Sequence, residues 1–145
     1  MTKICYILRG LPGTGKSMLA QALKDGAEKV KGYSSIFSTD DFFMVDGEYQ
    51  FDPTRLGEYH GNNLDEATSF MERCSPVPVA RCIIDNTNTQ HWEYAKYVEA
   101  AKRYGFLVQV ITIDWDAKDI PLYAERNSHG VPIEAIYRMA ARWER

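Results

Sequence analysis

The chain has 145 residues, enough for about one domain that buries roughly 68 to 70% of its unfolded surface, so neither disulfides nor a structural metal is needed to hold it. With 45% apolar and 26% charged residues, it is neither collagenous, disordered nor coiled-coil in character. A net charge of -3 excludes a protein that coats long duplexes by counterion release.

Met1-Thr2-Lys3-Ile4 leads directly into a strand-like run, without a charged segment followed by an apolar stretch and a cleavage site. No apolar run approaches the roughly 18 residues of a spanning helix. A cytoplasmic location and no membrane partner are the expectation. Ile4 to Leu8 predicts a buried parallel strand, followed by a glycine-rich turn and a helix from Lys16 carrying Leu19, Ala20 and Leu23. A second strand is predicted to end at Phe37-Ser38, ahead of Asp40-Asp41. Asp52-Pro53 is a helix-start signal, with Asp as N-cap and Pro at the first position, and the helix runs through Leu56, His60, Leu64, Ala67 and Met71 to about Cys74. Ser75-Pro76-Val77-Pro78 breaks the chain. A third strand follows from Val79 to Ile84, with Asp85 at its C-terminal end and a polar loop from Asn86 to Thr89. A helix with Ala95, Val98 and Ala101 stops at Gly105, and Phe106 to Ile113 is a fourth strand. Lys118 to about Asn127 is a short helix broken by His129-Gly130, and Pro132 opens a last helix with Ile133, Ile136, Tyr137, Ala140 and Trp143. Alternating strands and helices predict an α/β fold over residues 1–145 as one domain. Its mainly parallel sheet has four or five strands, with helices on both faces and a short helical lid, and ligands bind beyond the C-terminal strand ends.

Gly10-Leu11-Pro12-Gly13-Thr14-Gly15-Lys16-Ser17 fits GxxxxGK[ST] and lies between a strand and a helix, the context this motif requires. Its glycines let backbone N–H groups face a phosphate and the helix N-terminus adds positive potential. Lys16 reaches the β- and γ-phosphates, and Ser17 ligates Mg²⁺. ATP and Mg²⁺ are therefore the expected cofactors.

A phosphate loop does not specify a reaction. Asp40, at a strand end, is the candidate general base for a hydroxyl acceptor, with Asp41 as a neighbouring acceptor contact or a solvated turn residue. Asp85 sits where a Mg²⁺-holding carboxylate is expected, with an N-cap as the alternative. Asn86 and Asn88 are acceptor contacts or turn formers. Arg126, in the short helix before Asn127-Ser128-His129-Gly130, suits a lid arginine that stabilises charge on a transferring phosphoryl group.

Arg138, Arg142 and Arg145 form the wet face of the last helix, with phosphate contact as their alternative use. Trp92, Trp115 and Trp143 are expected to pack rather than stack on bases. His60 and His91 are assigned to helix surfaces. Cys5, Cys74 and Cys82, odd in number and in apolar segments, are expected to be reduced and mostly buried. From Ser38 to Glu72 nine acids face one base, Arg55, so this stretch repels a phosphate backbone unless it points away.

The ordered set RGLPGTGKS, STDDFF, FDPTRLGEYHGNNL, IIDNTNTQHWEY and ERNSHGVPIEAIYRM resembles the phage-type polynucleotide 5′-hydroxyl kinases and the related kinase modules fused to nuclease domains in animal proteins. The resemblance covers nearly the whole chain. It implies a small P-loop kinase sheet with a tunnel between ATP and acceptor sites, Lys16 and Ser17 handling ATP and Mg²⁺, Asp40 activating a 5′-hydroxyl, and Arg126 touching the phosphates. In that family an arginine two residues after the DD pair contacts the acceptor's phosphate; here the position is Phe43, and His129 lies near where a second lid arginine can stand. The insertion from Met44 to Phe51 forms an acceptor-gating hairpin or a structural turn.

Three readings follow. The first is transfer of the γ-phosphoryl group of ATP to a nucleic-acid hydroxyl, the 5′-OH end of DNA or RNA. In the second, a kinase of the same build acts on a nucleoside, modified base or other small alcohol. The third is a nucleotide-binding regulatory module with slow hydrolysis.

Overall fold

The computed structural model describes residues 2–145. In chain order its elements are β1 (Lys3–Arg9), α1 (Lys16–Lys29), β2 (Tyr33–Phe37), β3 (Met44–Val45), β4 (Glu48–Tyr49), α2 (Leu56–Arg73), β5 (Ala80–Asp85), α3 (Ala95–Arg103), β6 (Leu107–Thr112), α4 (Ile120–Arg126) and α5 (Ile133–Ala141). Four strands form a parallel sheet in the order β2-β5-β1-β6. The inner pair, β1 and β5, reads as near-continuous apolar sequence because both of its faces are covered.

Chain direction across the sheet explains where the helices lie. From β1 the chain moves two places to reach β2, then reverses to enter β5 and β6. Right-handed crossovers put connections of opposite direction on opposite faces. Accordingly Leu19, Ala20 and Leu23 of α1 pack on Tyr6, Leu8 and Ile83, whereas α2 and α3 bury Ala67, Phe70, Met71, Tyr97 and Ala101 against Cys5, Ile7, Cys82 and Ile84. The reversal leaves a crevice beyond the C-terminal ends of β1 and β5.

The second predicted helix divides in two. Asp52 Oδ1 accepts the Thr54 N–H at 2.9 Å and caps a 3-10 turn, Pro53–Arg55, after which α2 begins at Leu56. Residues 44–51, left open between a hairpin and a turn, form a two-stranded hairpin, β3 with β4, pairing Met44 with Tyr49 and Val45 with Glu48. Asp46 and Gly47 both have positive φ, 50° and 83°, as a two-residue type I′ turn requires.

A third apolar cluster joins α4 and α5 to the glycine loop through Leu11, Ile120, Tyr123 and Ile136, with Trp115 and Trp143 packed against it. Those two tryptophans pack as expected, edge to face at 5.8 Å. Trp92 does not: it is 73% exposed. It lies in the 3-10 turn His91–Glu93 ahead of α3, so no helix face turns it inward, and its Nε1 donates to Gln90 Oε1 at 2.8 Å. Cys5, Cys74 and Cys82 are all buried and free, and burial raises the Cys82 thiol well above its ordinary value. Among the described residues no helix is long and apolar enough to cross a membrane.

Candidate active site

The glycine loop bridges β1 and α1. Gly13 and Gly15 take φ of 84° and 93°, left-handed values that glycine adopts without strain, and Gly15 caps α1. Thr14 N and Oγ1 both donate to Leu11 O, at 3.3 and 2.7 Å, closing the turn. Gly10 N donates to Thr87 O at 3.2 Å, which fixes the loop to the segment after β5. Lys16 and Ser17 consequently meet Asp85 at the end of the neighbouring strand: Lys16 Nζ donates to Oδ1 at 2.8 Å and Ser17 Oγ to Oδ2 at 3.3 Å. The Lys16 and Asp85 side chains are only 13% and 8% exposed. Such a pair interacts more strongly than one in open water.

Ser17 and Asp85 converge as hard oxygen donors, the few protein ligands that Mg²⁺ uses when phosphates and water supply the rest. The residues present fit that ion. Among the described residues there is no group of three or more His, Cys, Asp and Glu arranged for a metal.

The acceptor-side candidates lie at the end of β2, across β5. Asp40 and Asp41 fall in a 3-10 turn, Thr39–Phe43, whose start is tied to the loop after β5 when Thr39 N donates to Asn86 Oδ1 at 2.9 Å. Thr39 Oγ1 also shares a 3.0 Å hydrogen bond with His60 Nδ1 of α2. Loss of solvation lowers the His60 pKa, with Glu93 and Asp40 opposing. Asp40 is half-buried and its Oδ1 accepts the Tyr49 hydroxyl at 3.1 Å. Tyr49 is held protonated well above its ordinary range, first by burial and then by Asp40's charge and hydrogen bond. Asp41 remains exposed, yet crowding by protein atoms and the carboxylates of Asp85 and Asp40 raise its pKa, against the pull of His129. The three acids, Lys16, Ser17 and His129 thus belong to one electrostatic neighbourhood.

Two candidates stand apart. Asn88 is 4% exposed at φ 51°, and its Nδ2 donates to Leu8 O at 2.8 Å, so its amide braces β1 rather than facing the crevice. Arg126 ends α4 exposed, without an ion pair among the described residues. Its helix nevertheless sits on the glycine loop, because a Cβ added at Gly13 would lie 2.1 Å from Tyr123 O. Pro12 lines the same loop half-buried, and Leu11 is fully buried beneath it.

Sequence reasoning missed four residues. Arg9, 3% exposed, donates from Nε to Asn88 O at 2.8 Å and from Nη2 to Thr89 O at 3.1 Å and to Glu144 O, with its guanidinium 4.7 Å from the Trp143 ring. It locks the end of β1 to the loop after β5 and to the segment after α5. An arginine closing an apolar strand carried that signal only in its oddity. Tyr49, Thr39 and His60 were also missed. The Asp46-Gly47 pair was the signal for a hairpin that returns Tyr49 to the turn carrying Asp40. Phe43 is 2% exposed, its ring 4.7 Å from Tyr59 and 5.1 Å from Phe51. It is the hub of an apolar cluster and presents nothing polar to an acceptor. Arg142 is not simply solvated, since its Nε donates to Thr89 Oγ1 at 3.1 Å.

A parallel sheet, a glycine loop opening a helix and a lysine, hydroxyl and carboxylate convergent on it define a P-loop kinase-like domain. A profile of the AAA domain family (AAA_33) matches residues 6–145, and the chain belongs to that family. It is 41% identical to human NEDD4-binding protein 2 over 145 residues, covering 98% of this chain and 8% of that protein's length. Among solved structures it resembles the Mycobacterium tuberculosis APS kinase CysC in complex with AMPPNP and APS, with TM-score 0.63 and 14% identity, covering 97% of this chain and 77% of that one. Chaetomium thermophilum Kti12 in complex with ADP-AlF3 is similar at TM-score 0.63 and 13% identity, covering 97% and 80%. At such identities these structures establish the fold, a P-loop α/β sheet with flanking helices.

Proposed function

We propose that this domain is an ATP-dependent, Mg²⁺-using phosphotransferase that acts on a nucleic-acid hydroxyl, the 5′-OH end of DNA or RNA. The observation that supports the reading is that Asp40 and Asp41 follow β2 at its C-terminal end, with Asp41 close enough to Asp85, the partner of Lys16 and Ser17, to feel its charge. That the fold neighbours hold AMPPNP and ADP-AlF3 supports a nucleotide at the glycine loop.

In this reading the loop amides and Lys16 bind the β- and γ-phosphates, and Lys16 exchanges its bond to Asp85 for the phosphate oxygens. Ser17 and Asp85 would hold Mg²⁺, which would supply positive charge to offset that of the phosphates. Asp40 takes the proton of the acceptor hydroxyl as its oxygen bonds to the γ-phosphorus and the bond to the leaving ADP oxygen breaks. Arg126, exposed at the end of the helix resting on the loop, would stabilise the charge of the transferring group. Asp41 and Asn86 border the acceptor side, and Asn88 supports it from behind.

A second reading has its own observation. With Phe43 buried and the exposed Asp41 beside Asp40, the acceptor side offers acidic groups where a phosphate would need a cation. A nucleoside, modified base or other small alcohol suits that lining. Titration with a non-hydrolysable ATP analogue alongside turnover tests the common core: Asp40→Asn retains analogue affinity and loses phosphoryl transfer. An Asp40→Asn protein as active as wild type contradicts it.

A further inference from the structure

The hairpin β3–β4 is built on an apolar base. Phe43 meets Tyr49 at 6.0 Å and Phe51 at 5.1 Å, Tyr49 lies over Phe51 at 6.4 Å, and Gln50 N donates to Phe43 O at 2.8 Å. This packing fixes the ring of Tyr49 and directs its hydroxyl to Asp40 Oδ1. His129, from the turn after α4, lies against the same ring, 4.9 Å between centroids. His129 is itself held, because Asn127 Oδ1 accepts the Val131 N–H at 2.7 Å and Asn127 Nδ2 donates to Ala124 O at 2.8 Å, which fixes the turn after α4.

We infer that Tyr49 is the positioning residue for the base: clasped between the hairpin and the His129 turn, it occupies one carboxylate oxygen of Asp40 and leaves the other for the acceptor hydroxyl. The inference rests on Asp40 acting as the base. Because burial and Asp40's charge keep the Tyr49 hydroxyl protonated, it remains a donor throughout the working pH range. The clasp also links the two sides of the crevice. The turn after α4, the helix that rests on the glycine loop, supports the residue that orients the acceptor's base, so disturbing one side misaligns the other.

The test is steady-state transfer from ATP to a 5′-hydroxyl oligonucleotide and to free nucleosides by wild type, Tyr49→Phe, His129→Ala, Asp40→Asn and the Tyr49→Phe/Asp40→Asn double variant. Phenylalanine preserves the ring packing, so Tyr49→Phe stays folded, loses no more in urea unfolding than its one hydrogen bond, and keeps the wild-type ATP KM. Its kcat falls about tenfold, the usual consequence of losing a hydrogen bond to a charged group. In the Asp40→Asn background the same change has no further effect, since the residues act as a unit. His129→Ala gives a smaller kcat loss of the same kind. A Tyr49→Phe kcat within about twofold of wild type, a loss fully additive with Asp40→Asn, or a His129→Ala effect confined to ATP KM overturns the inference. If Asp40→Asn is as active as wild type, or no acceptor is labelled, the base assignment itself falls, and the role of Tyr49 falls with it.

Discussion

Replacing Gly13 by alanine tests whether α4 rests on the glycine loop as tightly as the structure shows. The added Cβ would lie 2.1 Å from Tyr123 O and 2.7 Å from its carbonyl carbon and Cα, all backbone atoms that no rotamer change can move aside. Helix α4 would have to retreat by about 1 Å to restore an ordinary carbon–oxygen separation. A gap of that size forfeits a quarter to a half of the dispersion energy, and burial of Ile120 and Tyr123 is worth about 1.5 to 3 kcal/mol each. The retreat therefore costs about 1 to 3 kcal/mol, and the left-handed φ of 84° adds about 1 to 2 kcal/mol for a residue with a Cβ. Gly15 is the internal control. Its φ is 93°, but nothing lies within 4 Å of an added Cβ, so Gly15→Ala incurs only the backbone cost. Urea unfolding should show Gly13→Ala losing about 3 kcal/mol, roughly twice the loss in Gly15→Ala. Hydrogen exchange should quicken in α4 and leave β1 and β5 unchanged. Equal losses in the two variants, or α4 exchange as in wild type, would refute the close seating of the helix.

Three further outcomes follow from the same geometry. Arg9→Lys should lower stability by about 3 kcal/mol in urea unfolding, because an ammonium cannot reproduce the fork that serves three carbonyls and leaves buried acceptors unpaired. Asp41→Asn should stabilise the protein at pH 7. Its folded pKa is raised above 3.8, so the ionised carboxyl is disfavoured in the fold above that raised value, and the gain in melting temperature should vanish as pH falls below 3.8. Asp85→Asn should raise the Mg²⁺ concentration needed for half-maximal turnover at least about tenfold, measured by Mg²⁺ titration at saturating ATP.

Local features made much of the molecule legible. The strands of the inner pair, the glycine loop and the stop at Gly105 each follow from a few adjacent residues, and the structure places them within a residue or two of expectation. The burial of the three cysteines followed from their apolar surroundings. Strand order is different: β5 enters between β1 and β2 through long-range packing that no local pattern encodes. Arg9 shows why the remainder was hidden, since its meaning depends on Asn88, Thr89 and Glu144, up to 135 positions away. Asn88 had the residue type of an acceptor contact, yet its left-handed backbone and its bond to Leu8 turn it inward. Tyr49 was invisible as a partner of Asp40 until the hairpin register was known. Trp92 was misjudged because its exposure is set by a 3-10 turn rather than by the helix that follows.

The central claim is best tested by following labelled γ-phosphate from ATP into a 5′-hydroxyl oligonucleotide, its 5′-phosphorylated twin and free nucleosides, with wild type and Asp40→Asn side by side. The account predicts label on the 5′-hydroxyl oligonucleotide alone, cut to a small residual rate in Asp40→Asn. Label on the 5′-phosphorylated twin or on nucleosides alone would keep the kinase chemistry and contradict the 5′-end assignment. ATP hydrolysis that no acceptor alters and Asp40→Asn leaves unchanged would contradict phosphoryl transfer to a hydroxyl altogether.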